Sequence, residues 1–473
     1  MLRASAACEA LGVPTSSLVC EGFLGLAAAA SVGQGMPNLP VALFPSHPGV
    51  QSKAQLRKNA LEVTLDRVID NLLRQPGDAT ERREPGARDI AVTGSLQEVN
   101  DFFYEHELSD GLPIFPPTLA AIQAFLRHTD RSPNEVLGIL PAESRAATVW
   151  SIAVNGVMAG CRPEYMPVLV ALVEAMADPY YGVQHSGNTP GSDTLILING
   201  PIIKELGFNY TQGAMRDGFR ANTSIGRFWR LYLRNVAGFL PHRNDKATFG
   251  NTWRVVVAEN EDVLREIGWE SNSVEMGFKA GANTVTVSRF PGGNHIGSVS
   301  GSTPEQMLPY LAKAMVNQNF WQLQFLIGHT RGTLRPLVML SPILARTIAA
   351  GGWSKQDFKQ AMYEQARLPA WQFEQILRDW TQKKSWNLAA EAKKGCLPMA
   401  FYESDDPERR VPMVWEPDDI MVAVTGDLGR NSAYIFTHNG PDGYPTAKEI
   451  QLPKNWAALR AARTGKGKDD ALA

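Results

Sequence analysis

Cysteine is scarce in this chain: Cys8, Cys20, Cys161 and Cys396 are the only four in 473 residues, with no CxxC and no close Cys/His spacing. That excludes a disulfide framework and a Cys/His zinc site, and it fits a reducing cytoplasm. An excess of either charge is also missing, since 46 Lys and Arg stand against 48 Asp and Glu. No net field therefore draws the chain to nucleic acid or to an anionic membrane. No run approaches the roughly 20 uninterrupted apolar residues of a membrane helix. The most apolar stretch, Ser16 to Met36, is broken by Glu21 and by Gly22, Gly25, Gly33 and Gly35, which also argues against a signal peptide. Absent too are GxSxG, HExxH, the dinucleotide fingerprint, the P-loop spacing and a paired-carboxylate pattern. Metal and nicotinamide chemistry are disfavoured, and no cofactor is expected.

What is present is the composition of a folded protein, 44% hydrophobic and 20% charged. At this length two or three domains are expected, because a single core stops growing at roughly 250–300 residues. The pattern reads as α/β, in the mixed α+β sense. Residues 1–75 give strand, helix, strand, helix, with short apolar runs at Leu18 to Cys20 and Pro40 to Phe44 and a 3.6-residue apolar period from Leu56 to Leu72. This is an incomplete wound unit whose sheet needs pairing with something else. Residues 76–94 carry the Pro, Gly and charge of a linker. A main α/β module is expected over 95–335, with a helix capped by Ser95 and Glu98 and helices at Arg145 to Ala159 and Pro163 to Ala177. A C-terminal portion with much helix follows over 336–473, its tail beyond Arg460 frayed. Strands are expected at Thr194 to Ile198, Trp253 to Ala258, Thr284 to Val287, Leu337 to Leu340 and Ile420 to Val424. The runs into Asn199-Gly200-Pro201 and Ser341-Pro342 echo each other, each delivering a strand's carboxyl end to a helix start, where α/β proteins hold anions. A recurrent connection without function is the alternative.

Cys161 lies between Gly160 and Arg162-Pro163 before a helix, where the dipole and the Arg162 guanidinium favour a nucleophilic or redox thiolate. The alternative is a packing cysteine. Cys20 ends a strand, a ligand-facing position in a wound sheet or a small core residue. Asp110 and Thr118 flank a proline-stiffened loop that positions a general base or orienter, unless they serve as turn and cap residues. Arg220, Asn222 and Arg227, with Arg230 and Arg234 on the same helix face, suit an anion clamp or a face paired to acids. Arg430, in Thr425-Gly426-Asp427-Leu428-Gly429-Arg430, suits an anion-binding nest. His295 offers acid/base chemistry from a loop. The substrate-binding set is thus Arg162, Thr118, Asn199, Arg220, Asn222, Arg227 and Arg430. An enzyme or enzyme subunit acting on a small anionic or carbonyl-containing molecule follows, by thiol chemistry at Cys161 or by Asp110/His295 acid–base chemistry as a hydrolase or lyase. A non-catalytic subunit that completes a partner's sheet is the third reading.

The stretches Ala10-Leu11-Gly12-Val13-Pro14, Val19-Cys20-Glu21-Gly22-Phe23 and Phe44-Pro45-Ser46-His47 resemble the second half of the small UGSC-family proteins, named for a Sec/Cys-Gly-Ser-Cys motif. Asp110-Gly111-Leu112-Pro113, Asn155 to Tyr165 and Asn199-Gly200-Pro201 resemble the larger module that accompanies it. The motif itself is absent from this sequence. The resemblance implies that the front half of the first unit was truncated or is supplied by a separate small Cys-Gly-Ser-Cys subunit, in a hetero-oligomer.

Overall fold

The computed structural model describes residues 2–74, 86, 88–326, 332, 334–380, 387–438 and 443–461. Most of the expected linker and the tail beyond residue 461 lie outside them. The fold is mixed α+β, built around two four-stranded sheets. Among the described residues no helix is long and apolar enough to cross a membrane.

The first unit holds strands β1 (Ser17–Cys20) and β2 (Val41–Phe44), paired in parallel and with no third strand among the described residues. Helix α1 (Leu24–Gly33) connects them and α2 (Leu65–Leu73) packs on β2. Parallel sheets are ordinarily covered on both faces. Here Leu18, whose register partner Ala42 is wholly buried, is 47% exposed. Five apolar residues of the unit are buried, three of them alanine, while twelve large ones are exposed, Leu61, Ile69 and Leu73 among them. The unit touches the rest of the chain at Gly33, where a Cβ would stand 2.5 Å from the Glu143 Cα, so only glycine fits that approach. Gln34 Nε2 donates to Ser144 Oγ beside it, at 2.6 Å.

A hairpin of β3 (Val136–Leu140) and β4 (Arg145–Thr148) leads into α3 (Val149–Met158). The expected helix from Arg145 is corrected here: Thr148 and Ser151 form a capping box, so the helix starts at Val149 and the preceding residues pair as a strand.

The two sheets repeat one plan. In the first, the central β5 (Asp193–Asn199) has β6 (Val256–Ala258) as parallel neighbour and β7 (Thr284–Phe290) as antiparallel neighbour. In the second, β9 (Leu337–Leu340) has β12 (Met421–Val424) parallel and β13 (Ala433–Phe436) antiparallel. The fourth strands are exchanged. β8 (Gly293–Ile296), which follows β7, pairs with β13, and β14 (Thr446–Glu449), which follows β13, pairs with β7. A separate hairpin of β10 (Arg367–Pro369) and β11 (Arg410–Pro412) completes the strands. Helix α4 (Met166–Ala177) precedes β5 and α6 (Pro304–Asn319) precedes β9, each beginning within the same spacing G-x-x-P-E-x-M, at Gly160 to Met166 and Gly301 to Met307. Beyond the first unit, the body of the molecule thus holds two sheets of like strand arrangement, each with its helices a copy of one plan, locked by strand exchange. The echo between Asn199-Gly200-Pro201 and Ser341-Pro342 is the central strand of each copy. Because the sheets interleave along the chain, a division at 335/336 does not separate them.

Side-chain alternation explains why these strands read as unbroken apolar runs. Ile196 and Ile198 enter a core shared with α3, α4 and α5 (Arg220–Asn235), whereas Leu195 and Leu197 face the other sheet. Val338 and Leu340 enter the second helical core, under α6 and α7 (Pro342–Ala350), whereas Leu337 and Met339 face the first sheet. The result is helices, sheet, sheet, helices in four layers.

Candidate functional site

The residues around Cys161 come together as expected, but in a closed setting. Gly160, at φ +76°, ends α3, and Cys161 N donates to Gly156 O at 3.0 Å. This turn carries the thiol into the first core, 6% exposed, with Tyr165 in the same core. Burial pushes the thiol up to about 12, against the opposing pull of Ser224 and the Arg220 and Arg227 charges. The expected thiolate is corrected: desolvation outweighs helix dipole and guanidinium, so the sulfur is a thiol at neutral pH. Cys20, at the end of β1, is half-buried, as are Cys8 and Cys396. Alkylation of the folded chain at pH 8 should therefore give up to three adducts by intact mass, the fourth only in denaturant. Rapid native labelling of Cys161 would reverse this assignment.

Asp110 binds the Arg227 guanidinium through both oxygens, to Nε at 3.0 Å and Nη2 at 2.8 Å. Nη2 also donates to the Leu112 and Pro113 carbonyls, at 3.3 and 2.9 Å. Burial raises the carboxyl, but the Arg227 bond and charge, helped by Arg254, hold it below the ordinary aspartate range. A general-base role for Asp110 and a clamp role for Arg227 are both corrected, because each saturates the other. Arg230 pairs with Asp193 at 2.8 Å, and Arg234 Nε donates to Glu107 O at 2.6 Å. This helix face fastens α5 to its neighbours.

The remaining expected residues also have structural partners. Thr118 caps the helix Leu119–Leu126 through Ala121 N. Buried Asn222 ties Asn209 to β6, donating to Asn209 O and Val256 O and accepting from Asn209 N. Arg162 stands 3.9 Å from Glu164, and exposed Arg220 reaches Gly160 O at 3.5 Å. Asn199, at the carboxyl end of β5, donates to Glu259 and Glu261 at 2.7 and 3.0 Å.

Arg430 lies in a different setting. It lines a cleft of about 300 Å³ at the carboxyl ends of the parallel pair β9 and β12, together with His295, Ser341, Asp427, Thr425 and Tyr434. His295 sits on strand β8, opposite Tyr434, and not on a loop. Ser341 starts α7 and exchanges backbone contacts with Ser432: its N donates to Ser432 O at 3.0 Å and its Oγ accepts from Ser432 N at 3.3 Å. Gly426, at φ +98°, turns the chain, and Asp427 Oδ1 accepts from Gly429 N at 2.8 Å, which fixes the loop that carries Arg430. Asn431 anchors its far side to Val299 O at 3.0 Å. Among the described residues Arg430 makes no ion pair, and both it and His295 are exposed. Sequence reading flagged Arg430 and His295 separately. It missed Tyr434 and the meeting of the two, which requires β8 to cross into the other copy's sheet.

The fold and this cleft define a mixed α+β protein with a largely apolar pocket, carrying a few polar side chains, at the carboxyl ends of a parallel strand pair, where such sheets ordinarily bind ligands. Residues 1–74 match the model of the UGSC family, so the likeness belongs to the first unit and not to the two-copy body. No curated protein and no solved structure matches the chain.

Proposed function

We propose that this chain is an enzyme, or a subunit of one, that holds a small carboxylate-bearing carbonyl compound in the β9/β12 cleft and acts on it by acid–base chemistry. Arg430 pairs with the carboxylate through its planar fork. His295 moves a proton to or from the substrate, and the Ser341 hydroxyl donates to the carbonyl oxygen. The carrying observation is that an arginine without an ion-pair partner among the described residues and a histidine line one cleft at the ends of two parallel strands. The buried, high-pKa thiol of Cys161 turns the reading away from thiol chemistry and toward the hydrolase or lyase class. Pyruvate, which carries both groups, is a suitable probe. Calorimetric titration of the full chain should show saturable binding, weakened about tenfold or more by Arg430→Ala, the effect of losing one charge-assisted hydrogen-bonded pair. Equal affinity in the variant counts against the cleft.

A second reading concerns the first unit, whose exposed Leu18 and apolar α2 face favour a docking role. A polypeptide that adds a parallel strand beside β1 and packs an apolar side chain on Leu18, as the small Cys-Gly-Ser-Cys subunit would, extends this two-stranded sheet. Co-expression with such a subunit should yield a stable complex that Leu18→Lys disrupts. Co-purification unaffected by Leu18→Lys would place the contact elsewhere.

A further inference from the structure

The groove between α6 and the β10–β11 hairpin gathers cations with no acid among its described lining residues. It has a volume of about 390 Å³ and is lined by Lys313, Arg367 and Arg410, the amides of Gln365 and Gln372, and an apolar floor that includes Val316. Arg367 and Arg410 sit on paired strands. Each reaches across to the other's backbone: Arg367 Nη1 donates to Arg410 O at 3.3 Å, and Arg410 Nη2 donates to Arg367 O. The Arg367 guanidinium also lies over the Tyr363 ring, 5.2 Å from its centroid. Arg367 stands opposite Pro412 and Arg410 opposite Pro369, so the two are diagonal neighbours on the hairpin, each held by its bond to the other's carbonyl. Among the described residues neither they nor Lys313 form an ion pair, and no carboxylate lines the groove. The chain as a whole is near neutral, 46 cationic against 48 anionic residues, so this local excess is not a property of the general surface.

We propose that this groove binds the phosphoryl group of a small phosphorylated molecule, whose apolar part rests on the floor. One guanidinium suffices for a carboxylate. Three cations with two amide donors match a dianion with three acceptor oxygens. Arg367 keeps Nη2 for the ligand, Arg410 keeps Nε and Nη1, and the lysine adds a mobile point charge. The groove shares no lining residue with the Arg430 cleft, so it is a separate site.

Inorganic phosphate is the probe, titrated calorimetrically into the full chain at ionic strength held constant with sodium chloride. Saturable binding is expected, weakened about tenfold by Lys313→Gln and by Arg410→Gln and unchanged by Arg430→Ala. Lys313 and Arg410 are exposed, so these variants should keep the wild-type thermal midpoint in phosphate-free buffer. No saturable binding, or binding that both glutamine variants retain, overturns the proposal. Loss of binding in Arg430→Ala alone would assign the anion to the other cleft and overturn it equally.

Discussion

Glu259→Ala should cost about 3–5 kcal/mol of stability, the range for removing one partner of a buried ionic network. Glu259 follows β6 and is fully enclosed, and its two oxygens serve both copies of the repeated unit. Oε2 accepts from Asn199 Nδ2 at 2.7 Å and Asn272 N at 2.8 Å. Oε1 accepts from Val424 N at 3.3 Å and faces Lys355 Nζ at 4.0 Å. Lys355 continues to Glu275 at 2.9 Å, and Glu275 to Lys359 at 2.5 Å, both lysines about 5% exposed. Burial raises the Glu259 carboxyl and Lys355 opposes that rise. Beside this network Asn260 N donates to Val424 O at 2.7 Å and Thr425 Oγ1 to Ala258 O at 2.8 Å. The ends of β6 and β12 are thus stitched together around one carboxylate. Alanine strands several buried donors. Glu259→Gln replaces one acceptor oxygen by a donor that faces N–H groups, so it should recover only part of the loss. Thermal midpoints and amide exchange at Val424 and Asn272 would register both effects. A Glu259→Ala protein as stable as wild type would mean that the copies are joined by apolar packing alone.

The elements most legible in the sequence were those buried on both faces. β9, β12 and the Leu195–Ile198 stretch of β5 are unbroken apolar runs because they lie between a helical layer and a second sheet, and β7, buried along its whole length, alternates Thr and Val before Ser288 and Arg289. β8, β13 and β14 were not read as strands. His295, Lys448 and Glu449 are polar, as suits the outer strands β8 and β14, whereas β13 is an inner strand of only four residues whose place between β9 and β8 is a tertiary event with no local signal. The repeated G-x-x-P-E-x-M spacing is the sequence trace that could have revealed it. For the site, residue type was readable but environment was not. Cys161 and Arg430 both follow a glycine-containing turn, yet one closes into the core beneath α5 and the other opens into a cleft. That difference comes from packing partners more than fifty residues away. The arginines of α5 were readable as one face, and only Asp110, Asp193 and Glu107, distant in sequence, show that the face is already occupied.

Arg227→Ala should cost about 2–4 kcal/mol, between the limits for exposed and buried ion pairs, since the two side chains are 16% and 9% exposed. The loss includes the Leu112 and Pro113 carbonyls, which give up their shared donor. The pair also carries a pH signature. Asp110 is held below its unfolded value, so the folded state binds its proton less readily than the unfolded chain does. Its contribution is present in full above the ordinary aspartate range, and it disappears as pH falls through the lowered folded value. Asp110→Asn removes the titrating group while keeping its shape. Other carboxylates are lowered too, Asp178 by Lys448 and Asp262 by Lys204, so the acid limb of the thermal midpoint should survive in the variant. The informative quantity is the gap between the wild-type and Asp110→Asn midpoints, wide at neutral pH and closing below about pH 4. A gap that stays constant into acid would show that the Asp110–Arg227 hydrogen bonds hold the loop without the carboxylate charge.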